Sequence, residues 1–409
     1  MDKHLNPLAI FDTPDKLLFD ACLPKHYQES QNFYIHDYKC AHTFLYAYKD
    51  NTNTFNAYRR ETERLLLWTW LIQKKSILEL NRIDLESYLK FCQKPPIAWI
   101  GFKRVPHYVD MNGERLANLE WKPFVVAVGK ADAKLGKKAN PEKYALSDKG
   151  FREIFTVVNS LYNFLIQGGR TEINPIQQIK QKSKFLRKRQ GLPKIRRLSE
   201  LQWSYVLSTA YNLATADSKY ERTLFIIFAL YTLYLRISEL VSNERWSPKM
   251  RDFSKDRDGN WWFTTVGKGN KERQIAVSNA MLEALKRWRK HLGLLPTPLK
   301  SDDAPLIPKE KGSGPITSTY QIRKIVQHCF NEAETQMVLD GFAEEAISLK
   351  EATVHWLRHT GISDDVKHRP LEHVRDDAGH SSSLITDKYI DVELRQRHES
   401  ARKKPINDL

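Results

Sequence analysis

Between Lys180 and Arg197 the chain reads KQKSKFLRKRQGLPKIRR: nine lysines and arginines, no acid, and Gly191 and Pro193 inside the run. A stretch this charged cannot enter a core, because unpaired ionised groups are strongly disfavoured away from water. Glycine and proline also interrupt helical and strand periodicity alike. The 409-residue chain is therefore expected to fold as two bodies, each long enough to bury a core, joined by a basic linker. Two readings of that linker stand side by side. It is a solvated spacer, or it tracks a phosphate backbone, where each neutralised phosphate releases counterions.

On either side the patterning is mainly helical. Residues from about Cys40 to Cys92 read as helices: NTFNAYRRETERLLLWTWLIQ starts on an Asn/Thr cap, and NRIDLESYLKFCQ carries Asp84 in its opening turn. Lys94 to Tyr144 reads as an irregular insertion with one or two short strands, and LSDKGFREIFTVVNSLYNFLIQGG as a helix stopped by Gly168 and Gly169. After the linker, RRLSELQWSYVLSTAYNLATA reads as a capped helix. YERTLFIIFALYTLYLRISELV is apolar on nearly every face, so a buried helix is expected to deliver Arg236 from its end. Strand-like pieces follow at Met250 to Phe253, WWFTTV and RQIAV, with DRDG and GKGN as hairpin connections. The remainder is helical, apart from a Gly/Pro-containing connection from Leu292 to Pro315. The boundaries expected are an N-terminal extension 1–35, a helical domain 36–182 with its insertion at about 94–144, the linker 183–197, and a second domain 198–409 ending in a tail.

Composition narrows the function. A net charge of +16 favours polyanionic partners, although a basic protein without nucleic acid shows the same balance. No apolar run of about 18 residues suggests a membrane span, and the N-terminal segment lacks a signal-peptide core. Cys22, Cys40, Cys92 and Cys329 lie far apart, which argues against a zinc ribbon or disulfide framework and suits a reducing cytoplasm.

Four short pieces carry chemistry, each weak alone. In LRISEL, Arg236 needs an anion or carboxylate partner if buried, and Glu239 is near enough to supply an ordinary ion pair. In VGKGNKER, two glycines close a turn with Lys268 at its tip, a proton donor, a groove contact or simply a basic turn. In HWLRHTG, His355 shares a helix face with Arg358 and with His359; a zinc site of the HExxH type would need glutamate where Trp356 stands. In GHSSSLITDKYI, His380 is followed nine residues later by Tyr389, which by itself reads as a packing residue.

Taken together, two arginines, a lysine, two histidines and a tyrosine are what metal-free phosphodiester transfer requires. Guanidiniums stabilise the charge that builds on non-bridging oxygens. A tyrosine can attack and leave again, and the basic 5′-oxygen needs an acid. The order Arg236, Lys268, His355-x-x-Arg358, Gly379-His380, Tyr389 resembles the tyrosine recombinase (phage integrase) family over the second half, from about Arg197. The first half is similar in outline to that family's core-binding domain. Three places depart from the family pattern: Tyr234 stands where glycine is usual two residues before the first arginine, GISDDVKHRP follows LRHT where apolar residues are usual, and Asp377-Ala378 precedes GHSS in place of paired leucines.

The resemblance implies a mainly α fold with a small antiparallel sheet, built as a two-domain C-shaped clamp on duplex DNA: a SAM-like helical core-binding domain and a catalytic domain. It implies a site-specific recombinase or integrase serving a mobile element, working through a 3′-phosphotyrosine and a Holliday junction without a cofactor or metal. Tyr389 is then the nucleophile, Arg236 and Arg358 the phosphate clamp, Lys268 the acid, His355 the acid/base toward Tyr389, and His380 a phosphate donor. Double-stranded DNA with an inverted-repeat site, a homotetramer and an accessory bending or directionality protein are the implied partners, in a nucleoid-associated cytoplasmic setting. DNA-contacting candidates are Lys182, Lys184, Arg187, Lys188, Arg189, Lys194, Arg196 and Arg197 in the linker, with Lys271 and Arg273 by the hairpin tip. Type IB topoisomerase or telomere-resolvase chemistry, a non-catalytic DNA-binding regulator, and an RNA-binding helical protein remain as alternatives.

Overall fold

The computed structural model describes residues 6–19, 22–28, 32–126, 128, 136, 138–180, 196–267, 270–380 and 401–402. The chain divides into two compact units, Met1–Leu192 and Pro193–Leu409. Both are mainly helical with small sheets.

In the first unit the main helices are α1 (Phe33–Tyr46), α2 (Thr52–Trp68), α3 (Arg82–Gln93), α4 (Asp148–Gln167) and α5 (Pro175–Lys180). Their starts are set by side-chain caps that satisfy otherwise unpaired backbone N–H groups. Asn51 accepts from Thr54 N, Ser147 accepts from Gly150 N, and Asn81 with Asp84 makes a reciprocal capping box. Phe44, Phe55, Leu65, Leu66, Ile154, Val158 and Leu161 are buried in one core.

The 94–144 segment carries four short strands among the described residues, more than the one or two expected. β1 (Ile100–Gly101) pairs parallel with β4 (Phe124–Val125), and β2 (Tyr108–Met111) forms a hairpin with β3 (Glu114–Ala117). Asn112 at φ 52° and Gly113 at φ 81° close that hairpin, the left-handed pair that Asn-Gly supplies most readily. The segment is part of the core, because Trp99, Trp121 and Phe124 are buried with the helices. Glu63 on α2 gathers the pieces: its carboxylate accepts from Ile10 N at 2.6 Å, Phe11 N at 3.1 Å and pairs with His107 Nε2 at 2.9 Å.

The second unit holds α6 (Glu200–Ala216), α7 (Glu221–Thr232), α8 (Asn279–His291), α9 (Thr319–Leu339), α10 (Ala343–Glu351), α11 (Val354–Asp365) and α12 (Leu371–Ala378). A three-stranded antiparallel sheet runs β5 (Phe253–Lys255), β6 (Trp261–Val266), β7 (Glu272–Ala276) in order. Helix α7 is the centre: Phe225, Ile226, Ile227, Ala229 and Leu230 are buried, and α6, α8, α9 and α11 all pack on it. Among the described residues no helix is long and apolar enough to cross a membrane.

Candidate active site

Arg236 does not ride the end of α7 as the apolar run suggested. The helix stops at Thr232, Tyr234 turns left-handed at φ 48°, and Arg236 then caps a 3-10 turn at Ile237–Glu239. The left-handed residue ends the helical path as a helix-terminating residue does, and Arg236 follows it in extended backbone. Below it lies Glu239, 1% exposed. Glu239 accepts from Arg236 N at 2.8 Å and Arg236 Nη1 at 3.0 Å, and from both terminal nitrogens of Arg273 at 2.9 Å. Burial alone would push the Glu239 carboxyl up; Arg273 and Arg236 outweigh it and hold it below the usual range.

Arg273, named above as a DNA-contacting candidate, has internal partners in this structure. Its guanidinium is committed inward, to Glu239 through both Nη atoms and to the Asp377 carbonyl through Nε at 3.0 Å. A bidentate carboxylate partner in a buried setting is the arrangement arginine prefers.

Helix α11 supplies His355 and Arg358. Arg358 is 4% exposed; its Nη1 donates to the Tyr234 carbonyl, and its Nη2 donates to the Ala378 carbonyl at 2.6 Å and lies 3.3 Å from His380 Nε2. The helix can approach α7 this closely because residue 361 is glycine: a Cβ there would stand 2.0 Å from the Tyr231 carbonyl oxygen. His355 is exposed at the rim. Partial desolvation, then Arg358, Arg323 and Arg236, push its pKa down.

His380 follows α12, whose end is marked by Gly379 at φ 63°, and its N–H donates to the Arg375 carbonyl at 3.1 Å. Burial first, then the charges of Arg358 and Arg236, lower its pKa to about 4. His359 is lowered to about 4 as well, by burial and then Arg358, His355 and Arg196. The β6–β7 hairpin closes beside these groups: Gly267 N donates to the Lys271 carbonyl at 2.8 Å. A Cβ on Gly267 would lie 3.5 Å from Arg236 Nη1.

The structure thus brings together Arg236, Arg358, His380 and Glu239, with His355 on the adjoining helix face. Lys268 and Tyr389 lie outside the described residues, as do Lys182, Lys184, Arg187, Lys188, Arg189 and Lys194. Arg196 and Lys271 are exposed, Arg197 is half-buried, and Leu198 N donates to Thr360 Oγ1 at 2.9 Å, tying the start of the second unit to α11. Sequence motifs overlooked the groups behind Arg358, namely Tyr234, Asp365, Arg369 and Asp377. Their signal was present as the three departures from the family pattern.

Two guanidiniums and neutral imidazoles converging at one place can bind a tetrahedral anion and exchange protons with it. The family profile described as Phage integrase family matches residues 197–395. The fold is similar to that of XerH site-specific recombinase in a post-cleavage complex with palindromic difH substrate: TM-score 0.55, 15% identity, covering 92% of this chain and 89% of that one. It is similar also to the Tn1549 transposon integrase in complex with transposon right end DNA: TM-score 0.51, 16% identity, covering 89% of this chain and 99% of that one. No curated protein sequence matches the chain.

Proposed function

Residues 197–395 are a domain of the phage integrase, or tyrosine recombinase, family, and from that premise we propose that the chain is a site-specific DNA strand transferase. The Tyr389 oxygen attacks the scissile phosphorus; the new bond is a 3′-phosphotyrosine, and the bond that breaks runs to the 5′-oxygen. The tyrosine proton passes to His355, whose lowered pKa keeps the imidazole neutral and able to accept it. Lys268 gives a proton to the departing 5′-oxygen. Arg236 and Arg358 stabilise the charge on the non-bridging oxygens, with His380 as a further donor. A 5′-hydroxyl from a second duplex reverses the step, through a Holliday junction in a homotetramer, with no cofactor consumed because the phosphotyrosine conserves the bond energy.

The single observation that carries this reading is that Arg358 lies 3.3 Å from His380 while the charge of Arg236 acts on the same imidazole, with both arginines held by buried partners. A regulator that only binds DNA needs surface cations, and has no use for an arginine clamp fixed from behind. The role on a mobile element, an inverted-repeat site and an accessory directionality protein belong to the same proposal.

The test uses nicked suicide duplexes made from DNA flanking the gene, with a denaturing gel to detect covalent adduct. Wild type is expected to accumulate adduct and Tyr389→Phe to form none. Tight binding by wild type with no adduct would move the DNA-binding regulator to the front.

A further inference from the structure

Tyr234 is fully buried and yet sits at φ 48°, a conformation that L side chains other than Asn and Asp seldom adopt. Something must hold it there. Its ring packs with Ile362, Val374 and Ala378. Its hydroxyl donates to the Asp365 carboxylate and accepts from Arg369 Nη1 at 3.0 Å. Arg369 continues the chain, donating to Asp365 at 3.1 Å and through Nη2 to Asp377 Oδ2 at 2.6 Å. Asp377 in turn accepts from Ala276 N on β7 at 3.3 Å, and its carbonyl accepts from Arg273 Nε at 3.0 Å. One run of hydrogen bonds therefore joins the turn after α7, the end of α11, the end of α12 and the sheet.

Of the two carbonyls that hold the Arg358 guanidinium, one is that of Tyr234, a member of this run, and the other is that of Ala378, the residue next to Asp377. Fix Tyr234 and Asp377, and the plane of the guanidinium is fixed. The network also unites the three places where the chain leaves the family pattern. Tyrosine at 234, Asp365 and Arg369 in GISDDVKHRP, and Asp377 before GHSS are parts of one object.

We propose that Tyr234, Asp365, Arg369 and Asp377 act together as a positioning device for Arg358, setting its guanidinium against the reacting phosphate while touching no DNA themselves. The inference rests on the strand-transfer reading above. Arg369→Ala cuts the run at its centre, and Tyr234→Phe removes only the hydroxyl, keeping the ring and its packing. For each, the measurements are the single-turnover rate of adduct formation at saturating duplex, the duplex Kd, and Tm. Misplacing one transition-state donor predicts a rate lower by about 10- to 100-fold, with Kd within about twofold of wild type and both proteins still folding cooperatively. Rates equal to wild type in both variants would overturn the device, as would rates that fall only in step with weaker binding or incomplete folding. If wild type itself forms no adduct, the strand-transfer reading fails instead, so the two failures are told apart by the wild-type lane.

Discussion

His359 sits beside the clamp without being part of it, and its environment makes a prediction at the scale of one side chain. Burial and then the neighbouring charges of Arg358, His355 and Arg196 lower its pKa to about 4, against an ordinary value of about 6.5 in the unfolded chain. As pH falls below that ordinary value, the unfolded state takes up a proton that the folded state refuses. Stability contributed by the neutral ring is thus fully present above about 6.5 and is lost as pH falls toward 4. Urea midpoints measured across that window should decline more steeply for wild type than for His359→Gln. Parallel curves would mean that the ring is solvated in the folded state. His380 is lowered to about 4 for similar reasons and leaves a residual slope in the variant.

At the scale of elements, the site depends on how closely two helices approach. Gly361 lets α11 lie against α7, and a Cβ would meet the Tyr231 carbonyl oxygen at 2.0 Å and its carbon at 2.9 Å. These are backbone atoms, so no rotamer change relieves the overlap and α11 must move, carrying His355 and Arg358 with it. Gly361→Ala is expected to destabilise the second unit by about 1–3 kcal/mol in urea unfolding and to slow adduct formation; an unchanged midpoint would show that the helices separate freely. Much of this architecture was legible beforehand. The capped start of RRLSELQW and the Gly168–Gly169 stop mark the bounds of two helices, and the polar/apolar rhythm of WWFTTV and RQIAV announces β6 and β7. What escaped was non-local. The glycine usual at position 234 in the resembled family hinted at a left-handed turn, but the tyrosine itself hid it, because the groups that hold it there lie 131 and 135 residues away. Arg273 read as a surface cation because its carboxylate partner, Glu239, is 34 residues earlier. The aromatics of the 94–144 segment likewise found the core only through tertiary packing.

For the whole molecule the question is where the net charge of +16 does its work. Many arginines are spent on internal partners: Arg64 on Glu61, Arg287 on Glu221, Arg289 on Asp302, Arg273 on Glu239. The 180–197 run is different in composition, with nine cations and no acid, so intramolecular neutralisation from within the run is impossible. If it tracks a phosphate backbone, each contact adds roughly 0.9 to the slope of log affinity against log salt. Replacing Lys182, Lys184, Arg187, Lys188, Arg189 and Lys194 by glutamine should then flatten that slope by up to about 5. Duplex binding at low salt should weaken while Tm stays put, because charges outside a core do little for folding. A solvated spacer predicts the opposite pair: a slope within about one unit of wild type and an unchanged Kd. Adduct formation at saturating duplex separates grip from chemistry: under the phosphate-tracking reading the 180–197 cations act on binding, whereas under the proposed strand transfer Arg236 and Arg358 act on the phosphate once bound. Under the phosphate-tracking reading the six-fold variant should recover the wild-type cleavage rate when enough protein is supplied, whereas Arg369→Ala should not.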